Sequence, residues 1–130
     1  MGDRNTAYKD TVMVAVPLKA AAVIEAGKMV AVGADGFGVP AADAVGLKVV
    51  GISQEAVDNT GGISGAKTVR IIRKRAFHLL NSATNAVAAA HRFTNVYVKD
   101  AQTVSSNGGT NSIVAGKCID LDAQGVWVEI

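Results

Sequence analysis

Beyond a polar, charged opening, Met1–Asp10, the chain alternates between apolar and polar positions at the period of a β-strand. Thr11–Val16 (TVMVAV) reads as a strand that Pro17 ends or places at a sheet edge. Met29–Val32 is a second strand. Asp35-Gly36 and Gly38 mark a hairpin turn after it, and Pro40–Gly46 a loop. Leu47–Val57 is long and apolar enough to cross a core, and Asp58–Ala66 is a Gly-rich excursion. Thr68–Leu80 carries a strand with a charged middle, where Ile71-Ile72 breaks the alternation and predicts a bulge or strand exit. In the last third, Val96 and Val98 alternate with Asn95, Tyr97 and Lys99, while Val126, Val128 and Ile130 alternate with Trp127 and Glu129. Each run has one apolar and one mixed face. Between them the apolar stretch Ser112–Asp122 is fenced by Asn107-Gly108-Gly109 and by Asp122-Ala123-Gln124-Gly125, both turn sequences. Ala20–Ala26 fits a helical turn or an extended link equally well, which leaves Asn85–His91 (NAVAAAH) as the one good helix candidate.

The order of elements recurs. A strand at Met29–Val32, a loop, Leu47–Val57, a second loop and Thr68–Ile72 repeat the succession found between Asn95 and Ile130. The interval from Val32 to Gly51 equals that from Val98 to Gly116 to within one residue, and VVGISQEAVD then falls in register with VAGKCIDLD. This pattern predicts a mainly β fold with a weak internal duplication and one short helix. Two copies are too few for a solenoid, so a small β-barrel or barrel-like sandwich is the economical way to satisfy the strand edges.

Composition narrows the core. A chain of 130 residues is one domain, Asn95–Ile130 and its partner copy sharing residues 11–130, with 1–10 as a flexible arm. Hydrophobic residues are 49% but aromatics only 5%, so Val, Ala, Ile and Leu must fill the interior, which favours sheet. The net charge of +2 decides nothing about nucleic acid. A single cysteine, Cys118, excludes an intrachain disulfide framework and sits in an apolar strand as a buried thiol. No run reads as a membrane span or secretory signal, and Met1-Gly2-x-x-x-Thr6 is a short myristoylation pattern with no second lipid signal nearby.

Few residues suggest chemistry. Gly61-Gly62-Ile63-Ser64-Gly65-Ala66-Lys67-Thr68 is one substitution short of a P-loop, yet Ala66 stands where Gly is needed and the β-branched Val69-Arg70-Ile71-Ile72 that follows is no helix. It reads as a surface loop. His78 and His91 lack a third ligand, and Asp120 and Asp122 read as edge charges rather than a calcium site, so no metal or cofactor is expected. No serine has a motif that brings a histidine beside it, so no catalytic residue is assigned. Arg70 and Arg73-Lys74-Arg75 form the one dense charge run. If the segment is strand, Arg73 and Arg75 share a face opposite Lys74, and only Phe77 interleaves an aromatic, so a solvated or interface role outweighs nucleic-acid binding. Tyr97 and Trp127 both face away from the buried valines of their strands, and exposed aromatics on a small barrel mark a protein contact.

The run VVGISQEAVDN, the Gly-rich loop, a charged strand ending in AFHLLNSA, then VYVKDAQTV and TNSIVAGKCIDLDAQGVWVEI resemble, over residues 11–130, the small capsid cement (decoration) proteins of tailed bacteriophages. The resemblance implies a compact β-rich fold on the outside of the expanded shell, bound to the major capsid protein, often as a homotrimer. It also implies no enzymatic activity, no cofactor, no membrane and no specific nucleic acid. The location implied is the virion exterior, with the host cytoplasm during assembly. The family transfers no site residues. Exposure alone nominates Tyr97, Trp127, Arg73, Lys74 and Arg75, with Arg4 and Tyr8 of the arm, as contacts, and a nucleic-acid-binding barrel using Arg70–Arg75 is the alternative.

Overall fold

A computed structural model describes residues 2–7 and 9–130. It is mainly β, with twelve strands and, among the described residues, a single turn of 3-10 helix. In chain order the strands are β1 (Met13–Pro17), β2 (Val23–Ile24), β3 (Met29–Val32), β4 (Gly38–Pro40), β5 (Lys48–Ser53), β6 (Val57–Asp58), β7 (Thr68–Ile72), β8 (Ala76–Asn81), β9 (Asn95–Asp100), β10 (Thr103–Ser105), β11 (Val114–Asp122) and β12 (Gly125–Glu129). Five of the first seven form a sheet in the order β1-β7-β5-β3-β4. The last five form a closed ring in the order β8-β12-β11-β9-β10, with β10 returning to β8.

The two orders are the same order. Substituting β8, β9, β10, β11 and β12 for β1, β3, β4, β5 and β7 converts one sheet into the other, and the pairing registers follow. Val16 lies opposite Val69 as Leu79 lies opposite Val126, and Val14 opposite Ile71 as Phe77 opposite Val128. Val30 opposite Gly51 matches Val96 opposite Gly116, and each pair sits beside a bulge, at Val50 and at Ala115. Gly38 lies opposite Val32 as Val104 lies opposite Val98. The glycines at the bulges have a common cause. A Cβ on Gly51 would stand 2.6 Å from the Ile72 carbonyl oxygen, and one on Gly116 2.2 Å from that of Glu129, its counterpart on the neighbouring strand. The duplication expected from Val32–Gly51 and Val98–Gly116 is therefore a property of the whole hydrogen-bond framework.

Each copy has an interior built by strand alternation. In the first, Val16, Leu18, Ile24, Val30, Val69 and Ile71 pack together; in the second, Leu79, Val96, Val98, Val104, Val126 and Val128 do so. Met29, Ala31, Ala41 and Ile52, on the opposite faces of β3 and β5 and just beyond β4, join the second cluster and weld the copies. Two polar ties reinforce the weld. The Met29 amide donates to the Ala101 carbonyl at 2.7 Å, and the Asp43 carboxylate accepts from the Thr110 and Asn111 amides at 2.9 Å each. Those two amides hold the Asp43 carboxyl below the usual carboxylate range.

Several expected boundaries shift. Leu47–Val57 is two strands, β5 and β6, and Thr68–Leu80 is also two, because the chain leaves β7 after Ile72 and turns through Arg73–Arg75 before β8. Strand β1 begins at Met13 rather than Thr11, while Pro17 ends it at the edge of its sheet, as expected. Ala20–Ala26 is an extended link containing β2. The helix expected over Asn85–His91 shrinks to a 3-10 turn at Ala89–His91. Seven residues do not nucleate a helix unaided, and the backbone there is claimed elsewhere. Asn81 binds the Val87 amide and carbonyl through its side chain, at 2.8 and 2.9 Å, and the Asn85 carbonyl accepts from the Ser106 amide at 2.9 Å.

Candidate docking surface

The outer face of the closed ring gathers the exposed aromatic chemistry. Alternation along β12 buries Val126 and Val128 and turns Trp127 outward, 39% exposed. Directly across on β8 stands His78, its ring centroid 5.0 Å from that of Trp127 at an interplanar angle of 59°. Gly125 makes room for it, since a Cβ there would lie 2.9 Å from His78 Cε1. His78 Nε2 meets Asp122 Oδ1 at 3.1 Å, and the same oxygen accepts from the Gln124 and Gly125 amides at 2.8 and 2.9 Å. The His78 bond first, then the Gln124 amide, lowers the Asp122 pKa from its ordinary value. One carboxylate thus both fixes the β11–β12 turn and orients the imidazole.

The face extends in two directions. Leu80, two residues along β8 on the same side, is 47% exposed and lies diagonally across from Trp127, within side-chain reach. On the other side Asp120, opposite Trp127 on β11, binds Arg92 Nη2 at 3.0 Å, and the Leu121 amide and that guanidinium hold its carboxyl low. Phe93 follows Arg92 with 68% of its surface exposed. Its φ is +62°, a conformation unfavourable for a side chain with a Cβ, and its amide is anchored to the Cys118 carbonyl at 2.7 Å. The surface offers the Trp127 ring, an imidazole and an aliphatic side chain beside the Arg92–Asp120 ion pair, with exposed Phe93 next along the chain after Arg92. Rigid, partly exposed groups of this kind suit a macromolecular contact.

The other nominated residues lie elsewhere. Tyr97 is half-buried rather than exposed, because it is flanked by Val114 on β11 and Ser105 on β10. Asn95 and Glu129 lie opposite Lys117 on its two sides, and Tyr97 and Trp127 are each two positions from them in opposite directions along β11, so the two aromatics stand about 13 Å apart along that strand, with β11 between them. The basic run is not a strand face either. Arg70 pairs with Glu55 at 2.6 Å, Arg73 is half-buried, its amide donating to the Val12 carbonyl at 2.9 Å, and Lys74 occupies the turn at φ +62°. With Arg70 neutralised and the other three on a turn, they make no continuous basic stripe. Arg4 is exposed on the arm; Tyr8 lies outside the described residues.

The near-miss P-loop is a surface loop, closed by Asn59, whose side-chain amide donates to the Lys19 and Ile63 carbonyls at 3.0 and 3.2 Å. Strand β7 starts at Thr68, so no helix follows the loop. Cys118 is fully buried, and that burial raises the pKa of its thiol. Among the described residues no three metal-ligating side chains cluster, and no helix is long and apolar enough to cross a membrane. Leu80, Arg92 and Phe93 escaped the sequence reading, and His78 and Asp122 were weighed there only as a metal ligand and an edge charge. Only the β8–β12 register puts His78 against Trp127, and nothing local announces that register. The chain matches no family model, no curated protein and no solved structure.

Proposed function

We propose that this protein is a structural decoration protein that binds the exterior of a phage capsid and stabilises the expanded shell. In this reading it acts as a homotrimer whose partner is the major capsid protein. The observation that supports it best is the Trp127–His78–Leu80 face, partly exposed on a closed ring and braced by the Asp122 and Asp120 contacts. A preorganised aromatic anchor loses little side-chain freedom on docking, so modest area converts efficiently into affinity. Repetition over a lattice then turns weak single contacts into avidity. The arm, without regular secondary structure and exposed in all its described residues from Gly2 to Asp10, suits a segment that orders on a neighbouring subunit.

The test is co-sedimentation with expanded and unexpanded shells of the phage that encodes the protein. Saturable binding to expanded shells is expected, with Trp127→Ala weakening it by about tenfold or more, the loss of a buried aromatic anchor. Removal of residues 1–10 is expected to weaken shell binding while leaving the thermal transition in place. A folded protein that binds neither shell would end the proposal.

A further inference from the structure

Loop 107–111 of the second copy carries the polar tie to Asp43 of the first, and it contains the only Asn-Gly sequence of the chain, Asn107-Gly108. We propose that Asn107 is a site of spontaneous modification to isoaspartate, and that the conversion releases this tie. The claim is independent of capsid binding.

The loop presents the reacting groups together. Asn107 is exposed and borders a cleft of about 120 Å³ that Asp43, Lys99 and Ser105 also line, so water reaches it. Its amide is fixed by a 3.0 Å bond to the buried Ser105 hydroxyl. The Gly109 amide donates to Asn107 Oδ1 at 2.7 Å, polarising the side-chain carbonyl and standing where negative charge grows when that carbonyl is attacked. The attacking group is the Gly108 nitrogen. It donates to no protein acceptor among the described residues, and glycine brings no side chain to obstruct its approach.

The step balances with water alone. The Gly108 nitrogen forms a bond to Asn107 Cγ and gives its proton to solvent. The Cγ–Nδ2 bond breaks as Nδ2 takes up a proton from solvent, and ammonia leaves, closing a succinimide. Water then adds to either ring carbonyl. Opening at one yields aspartate; opening at the other yields isoaspartate, whose main chain runs through Cβ and is one carbon longer.

That extra carbon falls just before Gly109, Thr110 and Asn111. Gly109 is packed against Asp43, where even a Cβ would come within 2.4 Å of Oδ2, and the Thr110 and Asn111 amides reach the carboxylate at 2.9 Å. A displaced loop cannot keep these contacts, and the new carboxylate adds a like charge to the cleft that Asp43 borders.

The full-length chain would be aged in warm, mildly alkaline buffer and followed by peptide mapping, by methyl transfer from a protein isoaspartyl methyltransferase, and by amide hydrogen exchange. The peptide holding Asn107 is expected to gain the mass of an amide-to-acid exchange several-fold faster than the peptide holding exposed Asn5, and Asn107→Ser to abolish methyl acceptance in the peptide that spans residue 107. The Thr110 and Asn111 amides should lose protection in step with conversion. Conversion of Asn107 no faster than Asn5, or methyl acceptance absent from the aged peptide that holds Asn107, would overturn the site. Complete conversion with unchanged protection at Thr110 and Asn111 would overturn the release.

Discussion

The two copies share a hydrogen-bond framework and differ in how they close. In the second, β10 runs parallel to β8 and seals the ring. The Leu80 amide donates to the Gln102 carbonyl and the Ser82 amide to the Val104 carbonyl, both at 2.9 Å. The first copy keeps the counterpart of the second bond, Lys19 amide to Gly38 carbonyl at 3.0 Å, within an isolated parallel bridge between Leu18 and Gly38. It lacks the other because the residue matching Leu80 is Pro17, which has no N–H. The seam is covered instead by the loop after β6, whose Gly65 amide and Lys67 carbonyl both bond Leu18. One proline therefore separates a closed ring from a sheet that needs a lid.

Outward positions have diverged further. The place of Trp127 is taken by Arg70, paired with Glu55, and that of His78 by Ala15. Gly27, at φ +76°, is replaced by Phe93 at +62°, with the same amide bond to the neighbouring strand, Gly27 to Ser53 and Phe93 to Cys118. Positions answering to the backbone, such as Gly51 and Gly116, kept their residue. Positions facing solvent were free to diverge, and in one copy they carry the Trp127–His78–Leu80 cluster.

The comparison breaks most sharply at those two glycines. Gly116→Ala drives a Cβ into the Glu129 carbonyl in a ring with no free edge to yield, and should cost about 3 kcal/mol or more; Gly51→Ala, with a longer contact and an open seam, should cost less. Urea unfolding midpoints of the two variants measure the difference. Leu80→Pro should remove the seam bond of the second copy and cost about 1–3 kcal/mol, whereas Pro17→Leu, which supplies the missing donor, should be close to neutral or stabilising, again by urea titration. Phe93→Gly should gain about 1 kcal/mol by relieving the left-handed backbone, and Gly27→Ala should lose a similar amount. The smallest effect is electrostatic. Asp43, Asp120 and Asp122 all have pKa values below the ordinary 3.8, so their contribution is present above that value and is lost as the pH falls through the lowered ones. Thermal midpoints should decline only below about pH 4, and Asp43→Asn should flatten that decline.

Alternation alone located most strands, and the glycine spacing located the duplication, because both are imposed by backbone geometry within one stretch of chain. What the sequence withheld depends on pairing between distant segments. The break of Leu47–Val57 into β5 and β6 follows from β6 pairing with β2, and the burial of Tyr97 from its neighbours on β10 and β11. Trp127 was legible as an outward residue from its buried valine neighbours. His78 was not legible as its partner, since the contact exists only in the β8–β12 register.

The claim that the copies share a framework but not a closure is tested most directly by residue-resolved hydrogen exchange on the native protein. The amides of Leu79, Val126 and Val128 are expected to exchange only through global unfolding, while their counterparts Val16, Val69 and Ile71 open through a sub-global step of lower free energy. Equal protection in both sets, or greater protection in the first copy, would contradict the account.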